Sequence, residues 1–210
     1  MPIYKIYPTK DAAIYSLYPN MNSGRDEIIE MSTTVTSDYS TNPQASRALL
    51  EFSSDEITDI INNKIGNNTW DVNLRIYAAT ITGLKNDSII TIAPVSGSWS
   101  MGTGKYLDSP QTMDGVSWIW MDYSGSRMWD TNSASFASNV TASWGNTLGG
   151  GTFYSASSGF YYSTPITKSY TFYGDKDINL SVKNIVNLWY SGSISNDGFI
   201  IYQNQEFTDS

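Results

Sequence analysis

Ser46-Arg47-Ala48-Leu49-Leu50-Glu51-Phe52 is the stretch from which the fold is read. Side chains of an extended chain point alternately to two faces. Ala48, Leu50 and Phe52 therefore share one face, and Arg47, Leu49 and Glu51 the other. This predicts a strand with one face packed on the core. On its N-terminal side, residues 3–7 and 11–18 are rich in Tyr and Ile and are punctuated by Pro8 and Pro19, so both read as strands. Pro19-Asn20-Met21-Asn22-Ser23-Gly24 has the chemistry of a loop, with Pro presetting one φ and Asn and Gly tolerating φ > 0. Residues 27–34 continue as a strand.

On the C-terminal side, Ser53 and Glu56 stand at capping-box spacing, and Ile57, Ile60 and Ile61 fall on one helical face. A short helix near 54–63 follows, ended by Asn62-Asn63 and Gly66-Asn67-Asn68. Residues 71–82 and 88–95 return to strand, joined by a turn near 83–87 at the spacing of a hairpin. The centre, 96 to about 164, is dense in Ser, Gly, Trp and Tyr. It reads as long loops around one or two strands, with the strand signal mainly at 116–123 and Gly149-Gly150-Gly151 as a flexible turn. A loop of that length is usually functional or self-packed. Residues 178–182 form another strand. Residues 182–190 suit a helical turn with Ile185, Val186 and Trp189 together, and 198–203 give the last strand. No heptads, repeats or domain boundary interrupt the chain. The expectation is one domain over residues 1–210, all-β, a jelly-roll-like antiparallel β-sandwich with one short helix.

Composition narrows the function classes. Of 210 residues only 15% are charged, against the usual quarter, and Ser, Thr, Asn and Gly fill the polar role. Seven Trp, fifteen Tyr and seven Phe make the chain rich in aromatics. The net charge of −8 repels phosphate backbones and anionic lipid surfaces, so neither nucleic acid nor membrane is an expected partner. No apolar run of about 18 residues is present. The opening Met1-Pro2-Ile3-Tyr4-Lys5 lacks the apolar core of a signal peptide, and there is no cysteine. Together these suggest synthesis in a cytoplasm, without excluding a final location outside it.

The chain has no His and no Cys. That removes Ser-His-Asp and Cys-His nucleophiles, most zinc sites and imidazole acid–base work. Gly102-Thr103-Gly104 lacks the third glycine of a dinucleotide fingerprint. Asp108, Asp114, Asp122 and Asp130 could in principle supply a glycosidase pair, but Asp is common in loops because it caps turns. No catalytic residue and no cofactor are assigned. Asp11, Asn20, Asn22 and Asp26 are a candidate calcium set, since oxygen ligands suit that ion; an Asx-rich turn is the preferred reading. Trp99, Trp118, Trp120, Trp129, Tyr154, Tyr161 and Tyr162 could form a platform for pyranose rings, or fill the core and protein interfaces. Strand alternation should place Trp118 and Trp120 on one face with one shared job, for which core packing is the commoner.

Several segments in order resemble the DNRLRE family, also called disaggregatase-related domains. They are Asp11-Ala12-Ala13-Ile14-Tyr15, Pro19-Asn20-Met21-Asn22-Ser23-Gly24, the Arg47-to-Phe52 strand, Leu74-Arg75-Ile76-Tyr77, Trp99, and Gly115-Val116-Ser117-Trp118. The close, residues 178–192 followed by Asn196-Asp197-Gly198-Phe199, is similar to the family's ending. The resemblance implies a jelly-roll sandwich in which Val182, Val186 and Trp189 pack while Gly192 and Gly198 turn. Members occur in secreted and cell-surface proteins, and some relatives bind polysaccharide. This chain departs from secreted members in lacking a signal peptide and an attached enzyme or anchor. Its opening, residues 1–11, and the run 94–104 look like structural proteins of tailed bacteriophages that carry this domain alone. That resemblance implies a non-enzymatic virion subunit assembled in the host cytoplasm, a capsid decoration or head-associated protein, with neck or tail attachment as the other position. The implied partners are other virion proteins and copies of itself. The alternative is a carbohydrate-binding or cell-surface adhesion module, with a host surface glycan as partner.

Overall fold

The structure is a computed structural model and describes residues 2–34, 44–84, 87–129, 140–142, 149–154, 166–173 and 177–204. The fold is an all-β antiparallel sandwich with two short helices. Its central sheet runs β1 (Lys10–Tyr15), β3 (Gln44–Glu51), β12 (Phe199–Gln203), β5 (Ile89–Pro94), β10 (Lys168–Thr171), with β2 (Thr33–Thr34) paired to β3. Three two-stranded ribbons surround it: β4 (Asn73–Tyr77) with β11 (Asp177–Ser181), β6 (Trp120–Asp122) with β7 (Arg127–Met128), and β8 (Val140–Ala142) with β9 (Thr152–Tyr154).

The strand that decides the fold forms as expected, but it buries both faces rather than one. Ala48 and Leu50 lie with Ile90, Ile92, Phe199 and Ile201 on one side of the sheet, under helix packing from Ile57, Ile61, Ile185, Val186 and Trp189. Leu49 lies with Ile14, Ala93, Val95, Ile200 and Tyr202 on the other, under Trp99, Val116, Trp118, Trp129 and Phe153 from the central loops. The register Phe199↔Leu50, Ile200↔Leu49, Ile201↔Ala48 keeps both sets aligned across the strands. A sheet covered on both sides needs apolar residues at consecutive positions, and Phe199-Ile200-Ile201-Tyr202 supplies them.

Arg47 occupies the second buried face and is fully buried. Its guanidinium lies 5.0 Å from the Trp118 ring centroid and 5.4 Å from that of Tyr202, and it donates to the Gly150 carbonyl. The guanidinium thus lies over two aromatic rings at cation–π distance, an environment that suits Arg better than Lys.

Ser53 caps the helix as the spacing suggests: the Glu56 amide donates to Ser53 Oγ at 3.2 Å, which is the serine half of the capping box. The helix α1 (Ser54–Asp59) widens into a π-helical turn (Ile60–Ile65), burying Ile57 and Ile61. The helical reading of 182–190 is also met, as α2 (Lys183–Tyr190), with Ile185, Val186 and Trp189 buried. It is a second helix where one was expected. Val182 is buried beneath it, and Gly192 (φ 71) and Gly198 (φ 89) sit in the left-handed region open to glycine.

Four strand readings are corrected. Residues 3–7 form no strand; Ile3 and Tyr7 stand exposed, because the ladder on β3 starts only at Lys10. Of 27–34 only Thr33–Thr34 pairs. Residues 71–82 and 88–95 make no hairpin: β4 pairs with distant β11, and β5 lies between β12 and β10. Residues 116–123 are strand only from Trp120, since Ser117 and Trp120 close a turn, with the Ser117 amide donating to the Trp120 carbonyl at 2.9 Å. Gly149-Gly150-Gly151, read as a flexible turn, lies inside the fold, with all three residues at positive φ. All three are buried, and a Cβ on Gly149 would stand 2.2 Å from the Trp118 carbonyl oxygen.

Candidate functional site

Two loops, residues 16–28 and 101–115, carry Asn20, Asn22, Asp26, Asp108 and Asp114 of the residues singled out by sequence, and Asn22 helps bind them together. The chain leaving β1 turns at residues 16–20, and Asn22 follows, fully buried. Its amide nitrogen donates to the carbonyls of Met101 (2.7 Å) and Val116 (2.8 Å). Its amide oxygen accepts from the Gly24 (3.2 Å) and Gly104 (2.8 Å) amides. All four positions of the side chain are filled. The glycines around it permit the approach: a Cβ on Gly102 would lie 2.5 Å from Asn22 Oδ1, and one on Gly24 would lie 1.9 Å from the Met101 carbonyl oxygen. Ser23, next in sequence, seals the outer edge of β1 by accepting from the Ala13 amide and donating to the Ala13 carbonyl (3.2 and 2.6 Å). A covered edge resists pairing with another chain.

The candidate calcium residues are therefore spread over different tasks. Asn22 is the pin just described. Asn20 Oδ1 accepts from Trp120 Nε1 at 2.8 Å, and the Asp26 carboxylate accepts the Tyr106 amide at 3.0 Å. Asp11 lies on β1, where burial raises its carboxyl above the usual range. Among the described residues no group of three or more acidic side chains is arranged to hold a metal ion.

The acidic residues of the centre cap turns. Asp108 accepts from the Lys105 amide and the Thr112 hydroxyl, which hold its carboxyl below its ordinary value. Asp122 is lowered chiefly by the Gly125 amide. Asp114 accepts from the Thr103 amide and hydroxyl. A general acid needs its pKa raised, the opposite of the shifts at Asp108 and Asp122. Asp130 lies outside the described residues.

Among the described residues the candidate aromatic residues do not assemble into one platform. Trp99, Trp118 and Trp129 are 2%, 3% and 1% exposed, inside the core beneath the central sheet. Their polar edges are accounted for where they face backbone: Trp99 Nε1 donates to the Asp197 carbonyl and Trp129 Nε1 to the Ser117 carbonyl, each at 2.9 Å. The shared face expected for Trp118 and Trp120 is corrected, because the turn at 117–120 breaks the alternation. Trp118 goes inward, and Trp120 stays half-buried with its ring 5.1 Å from Tyr123 in an edge-on contact. Tyr154 is half-buried on the opposite core cluster. Tyr161 and Tyr162 lie outside the described residues.

What the two loops do present is an apolar end. Tyr106 packs on Tyr15 (centroids 4.8 Å) and Tyr18 (5.9 Å), and the Leu107 amide points at Met21 Sδ. Leu107 and Leu17 remain 55% and 50% exposed, and Tyr106 and Met113 are exposed as well. Sequence reasoning missed this surface because each member is an ordinary apolar residue in a loop; the Asn22 side chain, the Arg25 amide on the Gly104 carbonyl (2.9 Å) and the Asp26 carboxylate on the Tyr106 amide together bring 16–28 beside 101–115. No family model matches the chain, and no curated protein or solved structure matches it.

Proposed function

We propose that this chain is a non-enzymatic structural subunit of a tailed-bacteriophage particle, a capsid decoration or head-associated accessory protein, with neck or tail attachment as the other position. The observation that carries the reading is the division of its apolar side chains. The indoles of Trp99, Trp118 and Trp129 are consumed by the core, while Leu17, Leu107 and Tyr106 stand exposed on a loop end pinned by hydrogen bonds. A rigid, partly apolar loop surface suits permanent contact with a neighbouring subunit. Support also comes from the DNRLRE-like order of segments and the phage-like runs at 1–11 and 94–104. Mass spectrometry of purified particles tests it: the protein should be present at a fixed ratio to the shell protein. Its absence from particles, with the protein found free or on host envelopes, overturns the reading.

A second reading, carbohydrate binding, is favoured by one observation, the half-buried Trp120 beside Tyr123. Indole rings of that kind stack on sugars. Glycan-array binding that disappears in Trp120→Ala, with the fold intact, would replace the first reading by this one.

A further inference from the structure

The loop end that carries Leu107 has a charge as well as an apolar character, and the two together define what it can meet. Residues 16–30 and 101–115 supply Asp26, Glu27, Glu30, Asp108 and Asp114 against Arg25 and Lys105. Of the two cations, Lys105 is bound to Glu27. The acidic groups surround the apolar ones closely: Asp26 accepts the Tyr106 amide, and the charges of Glu30 and Asp26 act on the Tyr15 phenol against which Tyr106 packs.

Leu107 adds a separate observation. Its φ is 59, a conformation in which a leucine is held only at a local cost and in which Gly or Asn would be at ease. Its side chain is not buried in return. The conformation lifts an apolar side chain off the tip of an acidic loop.

We infer that this loop end docks on a basic protein surface, with Leu107 and the Tyr106 ring as the apolar anchor and the carboxylates of Asp26 and Glu30 as the charged frame. A second copy of the chain through the same face would bring acidic frame against acidic frame, in molecules that each carry a net charge of −8. Like charges juxtaposed at an interface oppose association, whereas a Lys- or Arg-bearing surface gains from the same frame. The inference deepens the structural-subunit proposal by naming the chemistry of the neighbour. It is tested independently of particles, so that either can fail alone.

The probe is a short synthetic peptide alternating Arg and Leu, with its Glu/Leu counterpart as control, titrated into the full chain while amide NMR shifts are followed. The expected result is preferential binding of the Arg/Leu peptide, weakening with salt, with shifts centred on Tyr18, Tyr106 and Leu107. Leu107→Gly should weaken it by about ten-fold or more, as loss of an anchor does, while leaving the fold as stable as before or more so, because the left-handed position then suits its residue. Glu30→Lys should reduce both affinity and salt dependence. Equal binding of the two peptides, no binding, shifts centred elsewhere, or self-association lost in Leu107→Gly each overturns the inference.

Discussion

Replacing Asn22 by Ala should unhook the two loops, and the size of the effect can be worked from its bonds. The side chain donates to Met101 and Val116 and accepts from Gly24 and Gly104, all at or within 3.2 Å. Each such bond contributes a net of about 1 kcal/mol, and more where the abandoned partner stays buried. The expected loss is therefore about 4 kcal/mol, a large part of the roughly 5–15 kcal/mol typical of a folded domain. In urea, at a slope of about 2 kcal/mol per molar, the midpoint should fall by about 2 M with little change in slope. Asn22→Asp keeps the shape but aims a carboxylate at two carbonyls. Its pKa should be raised in the folded state, so its destabilisation is greatest at neutral pH and eases as pH falls and the proton is taken up. A double substitution separates the hydrogen bonds from the packing. Gly102→Ala collides with the Asn22 amide at 2.5 Å. In the Asn22→Ala background that collision is gone, and only the strain of φ 77 remains, about 1–2 kcal/mol. Asn22→Ala losing less than about 1 kcal/mol, or simple additivity with Gly102→Ala, would refute the pin.

Arg47→Lys should destabilise by about 2 kcal/mol, because a compact ammonium cannot reproduce the broad guanidinium contact with both Trp118 and Tyr202; tryptophan fluorescence during urea unfolding reports it, and a neutral result would remove the cation–π argument. Gly198→Ala, with its Cβ 2.3 Å from the Leu50 carbonyl oxygen, should prevent or severely weaken folding. Gly66→Ala, also at positive φ but with open space around it, should lose only about 1 kcal/mol; equal losses in thermal melts would show that strain alone matters. The carboxyl titrations should have opposite signs. Asp108, lowered in the fold, lends stability above the ordinary carboxylate range that is lost as pH falls through its folded value. Asp11, raised by burial, does the reverse, so Asp11→Asn should leave stability at neutral pH unchanged or higher, and carboxyl NMR titration reads both shifts directly.

Local signals were legible in sequence wherever the physics is local. The capping serine and the isoleucine spacing that follows it were of this kind: Ser53, Glu56, Ile57 and Ile61 are close neighbours in sequence, and the amide-to-hydroxyl bond forms as read. Alternation located β3, and i, i+1, i+4 spacing located α2. Absence of His and Cys limited the chemistry before any coordinate was known. Tertiary structure decided what depends on distant partners. Residues 71–82 and 88–95 had the sequence of a hairpin, yet β4 found its register on β11 about a hundred residues away, since a strand settles where its buried face is best covered. The same holds for the second face of β3: nothing within Ser46-Arg47-Ala48-Leu49 announces that Arg47 will be buried, because the rings of Trp118 and Tyr202 that receive it arrive from elsewhere in the chain. Trp118 and Trp120 part company for a similar reason, a turn closed by Ser117 and anchored on Pro19 (2.8 Å from its hydroxyl) overriding the alternation of an isolated strand. Sequence alone determined the class of the fold and its first helix; the loop end with Leu107 and Tyr106 depends on Asn22 and its neighbours satisfying backbone groups drawn from separate segments, which no local pattern encodes.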